Sequence, residues 1–193
     1  MLVHFSGSQF NILEQIDDFR KIIKVIHNQG HSLTRDWVEP TFEIAKKDKD
    51  YGQQDWSTIY QENMEAIARA DIAIFEVTTQ SFAVGYMVAA ALQQKKPILL
   101  LARGEEAMYG TFASGMDKSI VSIKIYDDDN LEDIVLQFLE LNHIENKDLR
   151  FNFFIDRQIY NYLRWASFKT GKTKAEILRE LVLHDIERQD YRP

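Results

Sequence analysis

The segment from Asp71 to Arg103 constrains the fold of this chain more than any other stretch. Residues 72–77 form a short apolar, β-branched run, typical of a strand that is buried on both faces. A polar interruption separates this run from residues 82–94, which are alanine-rich and long enough for a helix. Pro97 ends that helix, and residues 98–101 form a second apolar run. The segment therefore predicts a βαβ unit with parallel strands and a right-handed crossover.

Further strands and helices alternate on both sides of this unit. Strands are predicted at 2–5, 32–37 and 121–126, and helices at 12–29, 55–70 and 131–141. Residues 39–54 are polar and contain a proline and a glycine, which predicts a loop with one helical turn. Five strands alternating with helices predict an α/β fold with a five-stranded, parallel, doubly wound (Rossmann-like) sheet. Ligands bind such sheets at the carboxyl ends of the strands.

Charge and composition narrow the class of protein. The 193 residues carry a formal net charge of −7 and include no cysteine, which excludes disulfides, thiolate metal sites and cysteine nucleophiles. A first strand that begins at Leu2 leaves no room for a signal peptide, and no apolar run is long enough to span a bilayer. We therefore expect a cytoplasmic protein without a membrane partner.

The acidic charge is unevenly distributed along the chain. From Arg150 onward, nine lysines and arginines outnumber six acidic residues, whereas acids dominate the preceding part. This asymmetry predicts a boundary between an α/β domain at residues 1–146 and a small module at residues 150–193. Asp127, Asp128 and Asp129 lack the spacing of a calcium loop and are interpreted as a solvated turn, so no metal and no cofactor are predicted.

The central segment also resembles a known family. The residues that carry the resemblance are Ala70, Asp71, Glu76, Val77, Thr78, Ser81, Val84, Gly85 and Tyr86. They are similar to the motif of the nucleoside 2-deoxyribosyltransferase superfamily, most closely its 2'-deoxynucleoside 5'-monophosphate N-glycosidase branch. The resemblance covers roughly the first three quarters of the chain, and it implies an α/β domain that acts on an N-glycosidic bond.

Two positions depart from the chemistry that this resemblance implies. The family's catalytic glutamate follows the Gly-Tyr pair, and Met87 occupies that position here. The family's aspartate lies eight residues before the aspartate at position 71, and Asn63 occupies that position. A thioether and an amide cannot act as carboxylates. We therefore expect no catalytic residue at these degenerate positions and no enzymatic cleavage.

The resemblance implies a ligand site around the first and third strands. The expected ligand-binding residues are Ser6, Gly7, Ser8, Asn63, Glu76, Ser81, Gly85 and Tyr86. The first three form a small-residue turn like the one that approaches sugar and phosphate in the family, although a plain strand-to-helix turn explains the two serines equally well. The loop at Ser81 also opens a helix, whose amides attract anions.

The C-terminal module has a different pattern. Residues 150–156 predict a short strand, residues 157–170 a helix ending at Gly171, and Thr173–Glu176 a capping box that opens a second helix. This order resembles the ribbon-helix-helix module of small bacterial repressors. One strand and two helices cannot bury a sufficient core alone, so a homo-dimer or larger assembly is expected.

That resemblance implies DNA contacts at four positions. Arg150 and Asn152 alternate along the predicted strand and are good base readers, whereas Phe154 on the same face is not. Amides near Thr173 and Lys174 open the second helix and would meet a phosphate. A module that only dimerises the protein is equally compatible with this weakly basic sequence.

Three functions are therefore compatible with the sequence. The first is an active N-glycosidase or deoxyribosyltransferase that uses a rearranged site. The second is a catalytically inactive relative that binds a nucleotide-like ligand and oligomerises, or regulates DNA, through its tail. The third is a structural oligomer without a ligand. The second is preferred, because Met87 and Asn63 remove the carboxylates while Ser81, Gly85 and Tyr86 are retained.

Overall fold

The fold was analysed in a computed structural model. It describes residues 1–47, 54–104, 115–116, 119–143 and 153–189. The chain separates into two compact units, residues 1–144 and residues 145–193, called here the α/β unit and the C-terminal unit. Within the described residues, no helix is long and apolar enough to cross a membrane.

The α/β unit contains five strands and five helices among its described residues. The strands are β1 (Leu2–Ser6), β2 (Ser32–Leu33), β3 (Ile72–Glu76), β4 (Ile98–Arg103) and β5 (Val121–Tyr126). The helices are α1 (Ile12–Asn28), α2 (Val38–Lys46), α3 (Trp56–Arg69), α4 (Phe82–Gln93) and α5 (Leu131–Leu141), with a 3-10 turn at Gln9–Asn11.

The five strands form one parallel sheet in the order β2-β1-β3-β4-β5, which confirms the predicted fold class. β1 pairs with β2 on one side and with β3 on the other. The direction of winding therefore reverses between β1 and β3, and a crevice opens beyond the carboxyl ends of these two strands.

Apolar side chains cover both faces of the sheet. On one face, α1 and α5 contribute Ile22, Phe19 and Leu131, all fully buried, to a core that also includes Phe5. On the other face, α3 and α4 pack Ile67 and other apolar residues against β3 and β4. Strands that are covered on both faces are mostly apolar, which explains why the two apolar runs in the sequence located β3 and β4 correctly.

The second strand and the segment that follows it differ from the sequence expectation. The strand was predicted at 32–37, but β2 pairs over only Ser32 and Leu33. Residues 39–54 were predicted as a loop, whereas α2 occupies much of that segment. Pro40 is tolerated because it lies in the first turn of α2, where its missing N–H costs nothing. Trp37 anchors the start of α2 by donating its indole N–H to the Phe5 carbonyl at 2.8 Å.

The C-terminal unit contains two helices, α6 (Arg157–Thr170) and α7 (Lys174–Arg188). Gly171 ends α6 in the left-handed conformation, with φ of 73°, as predicted. Thr173 and Glu176 form the predicted capping box at the start of α7. Residues 153–156, the described part of the predicted strand, have no strand pairing, because a strand needs a partner and the described chain offers none.

Candidate functional site

A cleft of about 310 Å³ lies beyond the carboxyl ends of β1 and β3. Residues from four elements and their loops line it: Ser6, Gly7, Gln9, Phe10, Arg35, Trp37, Thr41, Gln54, Trp56, Ile59, Asn63, Ser81, Phe82, Ala83, Val84 and Met87. Its volume is at the lower end of the range for small-molecule sites. The cleft occupies the place where parallel sheets of this order bind ligands.

The predicted site residues divide into two groups in the structure. Ser6, Gly7, Asn63 and Ser81 line the cleft together with the degenerate position Met87. The remaining four residues, which are Ser8, Glu76, Gly85 and Tyr86, do not belong to its described lining.

Three of the four residues outside the lining are Ser8, Gly85 and Tyr86, and each has other surroundings. Ser8 is buried and accepts a hydrogen bond from the Phe10 amide at 3.4 Å, as the cap of the 3-10 turn. Gly85 lies on α4 with open space where a Cβ would be. The hydroxyls of Tyr86 and Tyr60 are 3.2 Å apart on the exposed side of α3 and α4.

Gly7 has a steric role at the floor of the cleft. A Cβ at this position would lie 2.8 Å from Cζ of Phe19 and 3.4 Å from Cβ of Glu76. The backbone at the end of β1 therefore approaches α1 and β3 more closely than any side chain permits.

Met87 and Asn63 lie on opposite helices that border the cleft. Met87 is on α4 and is only 7% exposed, since it also packs in the core cluster between α4 and the sheet. Asn63 is on α3, where its amide donates to the Ile59 carbonyl at 2.8 Å. Its oxygen accepts a hydrogen bond from Nη1 of Arg35 at 3.4 Å. Neither side chain can supply a negative charge.

Arg35 is the one formally charged side chain in the described lining of the cleft. It follows β2, and its guanidinium is held by Glu62 on α3. Nε and Nη2 both donate to the same carboxylate oxygen of Glu62, at 3.1 and 2.9 Å. Glu62 itself is outside the cleft lining. The described lining of the cleft therefore carries one formal charge, which is positive, and it contains no carboxylate at the positions of Met87 and Asn63.

His4 lies beneath this region and is uncharged at neutral pH. It is 1% exposed, and its Nδ1 is 3.3 Å from the hydroxyl of Thr34. Burial, assisted by the nearby positive charge of Arg35, lowers the pKa of His4 to about 4. The imidazole therefore adds no second cation to the site at neutral pH.

Aromatic side chains form much of the cleft wall. Trp37 is buried at the inner side, while Trp56 and Phe82 are exposed, Phe82 by 91%. Phe10 completes this group. The sequence analysis did not predict that these aromatic residues and Arg35 line the cleft. The rule that ligands bind at the carboxyl ends of strands did not identify Arg35, because the second strand was predicted to extend to residue 37, beyond Arg35.

Glu76 lies at the end of β3 in a buried polar cluster beside the cleft. It is 0% exposed and accepts hydrogen bonds from Gln15 at 3.2 Å, from Tyr126 at 3.1 Å, and from the amide and hydroxyl of Thr78. Burial raises the pKa of Glu76 despite these donors, and the negative charge of Asp18 acts in the same direction.

The same cluster extends from Glu76 to the surface. The Tyr126 hydroxyl is 3.2 Å from Asp18, and Arg103 donates to both oxygens of Asp18 at 2.7 Å. Arg103 also pairs with Asp128 at 2.8 Å. These residues connect the carboxyl ends of β3, β4 and β5 to α1, which indicates a structural role for Glu76 beside the cleft.

The described residues of the chain contain no group of three or more histidine, cysteine, aspartate or glutamate side chains suited to a metal ion. The aspartates at 127–129 instead organise a turn. Asp127 accepts hydrogen bonds from the amides of Asp129 and Asn130, both at 3.0 Å.

No protein-family model matches the chain. The 5-hydroxymethyl-dUMP N-hydrolase of Esox lucius is 23% identical over 142 residues, which are 72% of this chain and 97% of that protein. The protein of the same name from Danio rerio is also 23% identical over 142 residues, 72% of this chain and 96% of that protein. These relatives support the resemblance of the chain to the nucleoside 2-deoxyribosyltransferase-like superfamily.

One solved structure gives a further comparison. The CMP N-glycosidase of Clostridium botulinum superposes with a TM-score of 0.49 at 16% identity, covering 72% of this chain and 98% of that chain. The two curated relatives are matched almost over their full length, so about a quarter of this chain has no counterpart in them.

The DNA-binding positions expected in the C-terminal unit are only partly described. Arg150 and Asn152 lie outside the described residues. The Thr173 amide donates to Glu176 at 2.7 Å, and Nζ of Lys174 lies 4.3 Å from the centre of the Tyr160 ring. A carboxylate of the protein itself therefore occupies the start of α7, where a phosphate was expected.

Proposed function

We propose that the α/β unit binds a nucleotide-like ligand in the cleft and leaves its N-glycosidic bond intact. The observation that carries this proposal is the absence of any carboxylate from the described lining of the cleft. Met87 and Asn63 stand where the superfamily resemblance implies the two acids of the reaction.

The chemistry of glycosidic cleavage explains why this absence matters. Positive charge develops on the sugar as the bond breaks, and a carboxylate stabilises or traps it. The Met87 thioether does neither, and the Asn63 oxygen already accepts a hydrogen bond from Arg35. The described lining therefore lacks the carboxylates that this reaction needs.

Two features support binding. The relatives are named for nucleotide substrates, 5-hydroxymethyl-dUMP in both fishes, which favours a ligand of that class here. The cleft also offers aromatic surfaces for a base, at Trp56 and Phe82, and a cation for an anionic group, at Arg35.

Two measurements on the full chain test this proposal together. Isothermal titration calorimetry with dUMP and CMP measures binding, and chromatography after prolonged incubation measures release of free base. We expect binding without base release above the uncatalysed rate. Base release at a rate typical of enzymes would establish a rearranged active site instead. Failure of every nucleotide to bind would favour a structural protein with an empty cleft.

For the C-terminal unit, we propose association with the same unit of a second copy of the chain. Among its described residues, the buried apolar core consists of Leu163, Ala166 and Ile177. Nine larger apolar or aromatic side chains of α6 and α7 remain exposed: Ile159, Tyr160, Tyr162, Trp165, Phe168, Leu181, Val182, Leu183 and Ile186. A unit this small gains a sufficient core by pairing these surfaces. Sedimentation equilibrium tests it, and a monomer at all concentrations would contradict it.

DNA binding by such a dimer is a second candidate role for the unit. It rests on the positive balance of charge after residue 150 and on the candidate positions Arg150, Asn152, Thr173 and Lys174. The capping box at Thr173 favours the purely assembling role, because Glu176 already accepts the hydrogen bond of the Thr173 amide. A gel shift with random and promoter DNA at low salt distinguishes the two roles, since phosphate contacts are strongest there.

A further inference from the structure

Arg35 is held more firmly than a residue in an ordinary surface loop. The Thr34 amide donates to the Val3 carbonyl at 3.0 Å, which continues the pairing between β2 and β1 past the end of β2. The Thr34 carbonyl accepts a hydrogen bond from Nη2 of Arg69 at 3.0 Å. Thr34, which precedes Arg35, is therefore held at both its amide and its carbonyl, and the base of the Arg35 side chain is positioned before any ligand arrives.

The described hydrogen bonds of the Arg35 guanidinium within the protein are weak. Its Nε and Nη2 share a single oxygen of Glu62, instead of forming the two parallel bonds of a bidentate pair. Glu62 is half exposed, and exposed ion pairs are weak because water screens them. Nη1 reaches only an amide oxygen, that of Asn63, at the long distance of 3.4 Å. A better acceptor in the cleft can therefore displace these partners.

We propose that Arg35 recognises the phosphate of a nucleoside 5'-monophosphate in the cleft and exchanges Glu62 for it. This inference rests on the proposed function, and it specifies which end of the ligand provides the affinity. A guanidinium matches two phosphate oxygens with two parallel hydrogen bonds. Arg35 is the one charged group in the described lining, so it alone distinguishes a nucleotide from its uncharged nucleoside there. The base then lies along Trp56 and Phe82.

The start of α4 is a weaker candidate for the same phosphate. Ser81 caps this helix, and its hydroxyl accepts a hydrogen bond from the Val84 amide at 3.4 Å. One of the amides at the start of α4 is therefore already satisfied within the chain. Arg35 also carries a full charge, whereas a helix end carries only a partial one.

Calorimetry on the full-length protein with dUMP and deoxyuridine tests the role of Arg35. The wild-type protein is expected to bind dUMP about ten-fold or more tightly than deoxyuridine, the usual gain from charged hydrogen bonds. Arg35→Gln should remove this preference, and an unchanged circular dichroism spectrum would show that the variant is folded. Glu62→Gln should tighten dUMP binding, because it releases the guanidinium.

Arg20→Gln is the matched control. It removes the same charge from a similar pair with Glu39, whose shortest distance is 2.7 Å, and it lies outside the cleft lining. This variant should keep the wild-type preference for dUMP, so a general effect of net charge would appear in both variants.

The outcomes separate this inference from the proposed function. If dUMP and deoxyuridine both bind, and Arg35→Gln keeps the wild-type preference, Arg35 is not the phosphate site, although the cleft still binds a nucleotide. Equal affinity of the wild-type protein for both ligands would likewise overturn the inference alone. If neither ligand binds the wild-type protein, the proposed function fails, and the inference fails with it.

Discussion

Met87 belongs both to the cleft wall and to the core between α4 and the sheet. A methionine suits a position that is shared by the cleft wall and the core, because its flexible side chain fills irregular apolar spaces well. It also means that a catalytic carboxylate could not simply be restored there. The described surroundings of Met87 are apolar, and a buried carboxylate without a partner is costly.

Met87→Glu is therefore expected to destabilise the α/β unit by about 2–4 kcal/mol at neutral pH, the range for an unpaired buried charge. Urea denaturation measures this change. Met87→Leu, which conserves volume, should cost less than about 1.5 kcal/mol. A glutamate variant as stable as the wild-type protein would show that the site retains a partner for a carboxylate.

Gly7 gives a second prediction for a single residue. Gly7→Ala should destabilise the protein by about 1–3 kcal/mol, because the new methyl group meets the ring of Phe19. Gly85→Ala is the matched control on α4, where nothing lies within 4 Å of the new atom. It should stabilise the helix by up to about 1 kcal/mol. Equal denaturation midpoints for the two variants would contradict this assignment.

The low pKa of His4 predicts how the free energy of unfolding depends on pH. Its folded pKa of about 4 lies below the ordinary value of 6.5, so its stabilising effect is complete above pH 6.5 and is lost as pH falls toward 4. The difference corresponds to about 3 kcal/mol at 1.36 kcal/mol per pKa unit. His4→Phe should lose less stability than the wild-type protein between pH 7 and pH 4. Identical pH profiles in denaturation experiments would show that His4 does not cause this sensitivity.

The elements of the fold depend on local signals to different degrees. The capping box of α7 was predictable because its two residues satisfy each other's backbone amides without tertiary help.

Thr173→Ala should cost about 1 kcal/mol, the usual value of an N-cap. Hydrogen exchange of the α7 amides measures it, and Thr173→Ser should preserve protection. Unchanged protection in the alanine variant would mean that packing alone maintains this helix end.

Other elements could not be predicted, for identifiable reasons. Residues 39–54 are mostly polar and include a proline, which hid the α2 helix, and a tertiary hydrogen bond from Trp37 to Phe5 fixes the start of that helix. The short pairing of β2 does not follow from its edge position, because β5 at the other edge of the sheet pairs over six residues. The cleft was located through the carboxyl ends of β1 and β3. Its cationic character was not predicted, because Arg35, Glu62 and Asn63 meet only through the fold.

At the level of the entire chain, the two units bury apolar surface very differently. The α/β unit encloses two extensive cores, one on each face of its sheet. The C-terminal unit leaves a mostly apolar groove on α7, lined by Leu178, Leu181, Val182, Asp185, Ile186 and Gln189. This contrast motivates the proposed pairing of C-terminal units.

Val182→Asp is expected to weaken that pairing, because a charge in an apolar interface must lose its hydration. Val182 is exposed within the single chain, so the substitution should leave the helix content unchanged. Light scattering measures the mass. His184→Asp introduces an acid at an exposed position of α7 outside the groove and serves as the control. Equal masses for both variants would place the association elsewhere.

The positions of the three tryptophans give the protein an intrinsic optical reporter. Trp37 and Trp56 both line the cleft, whereas Trp165 lies in the other unit. A base stacked in the cleft should quench the emission of the first two, and Trp165→Phe would remove the background from the third. Occupancy of the cleft could then be followed in real time, without a label, by fluorescence in a stopped-flow cell.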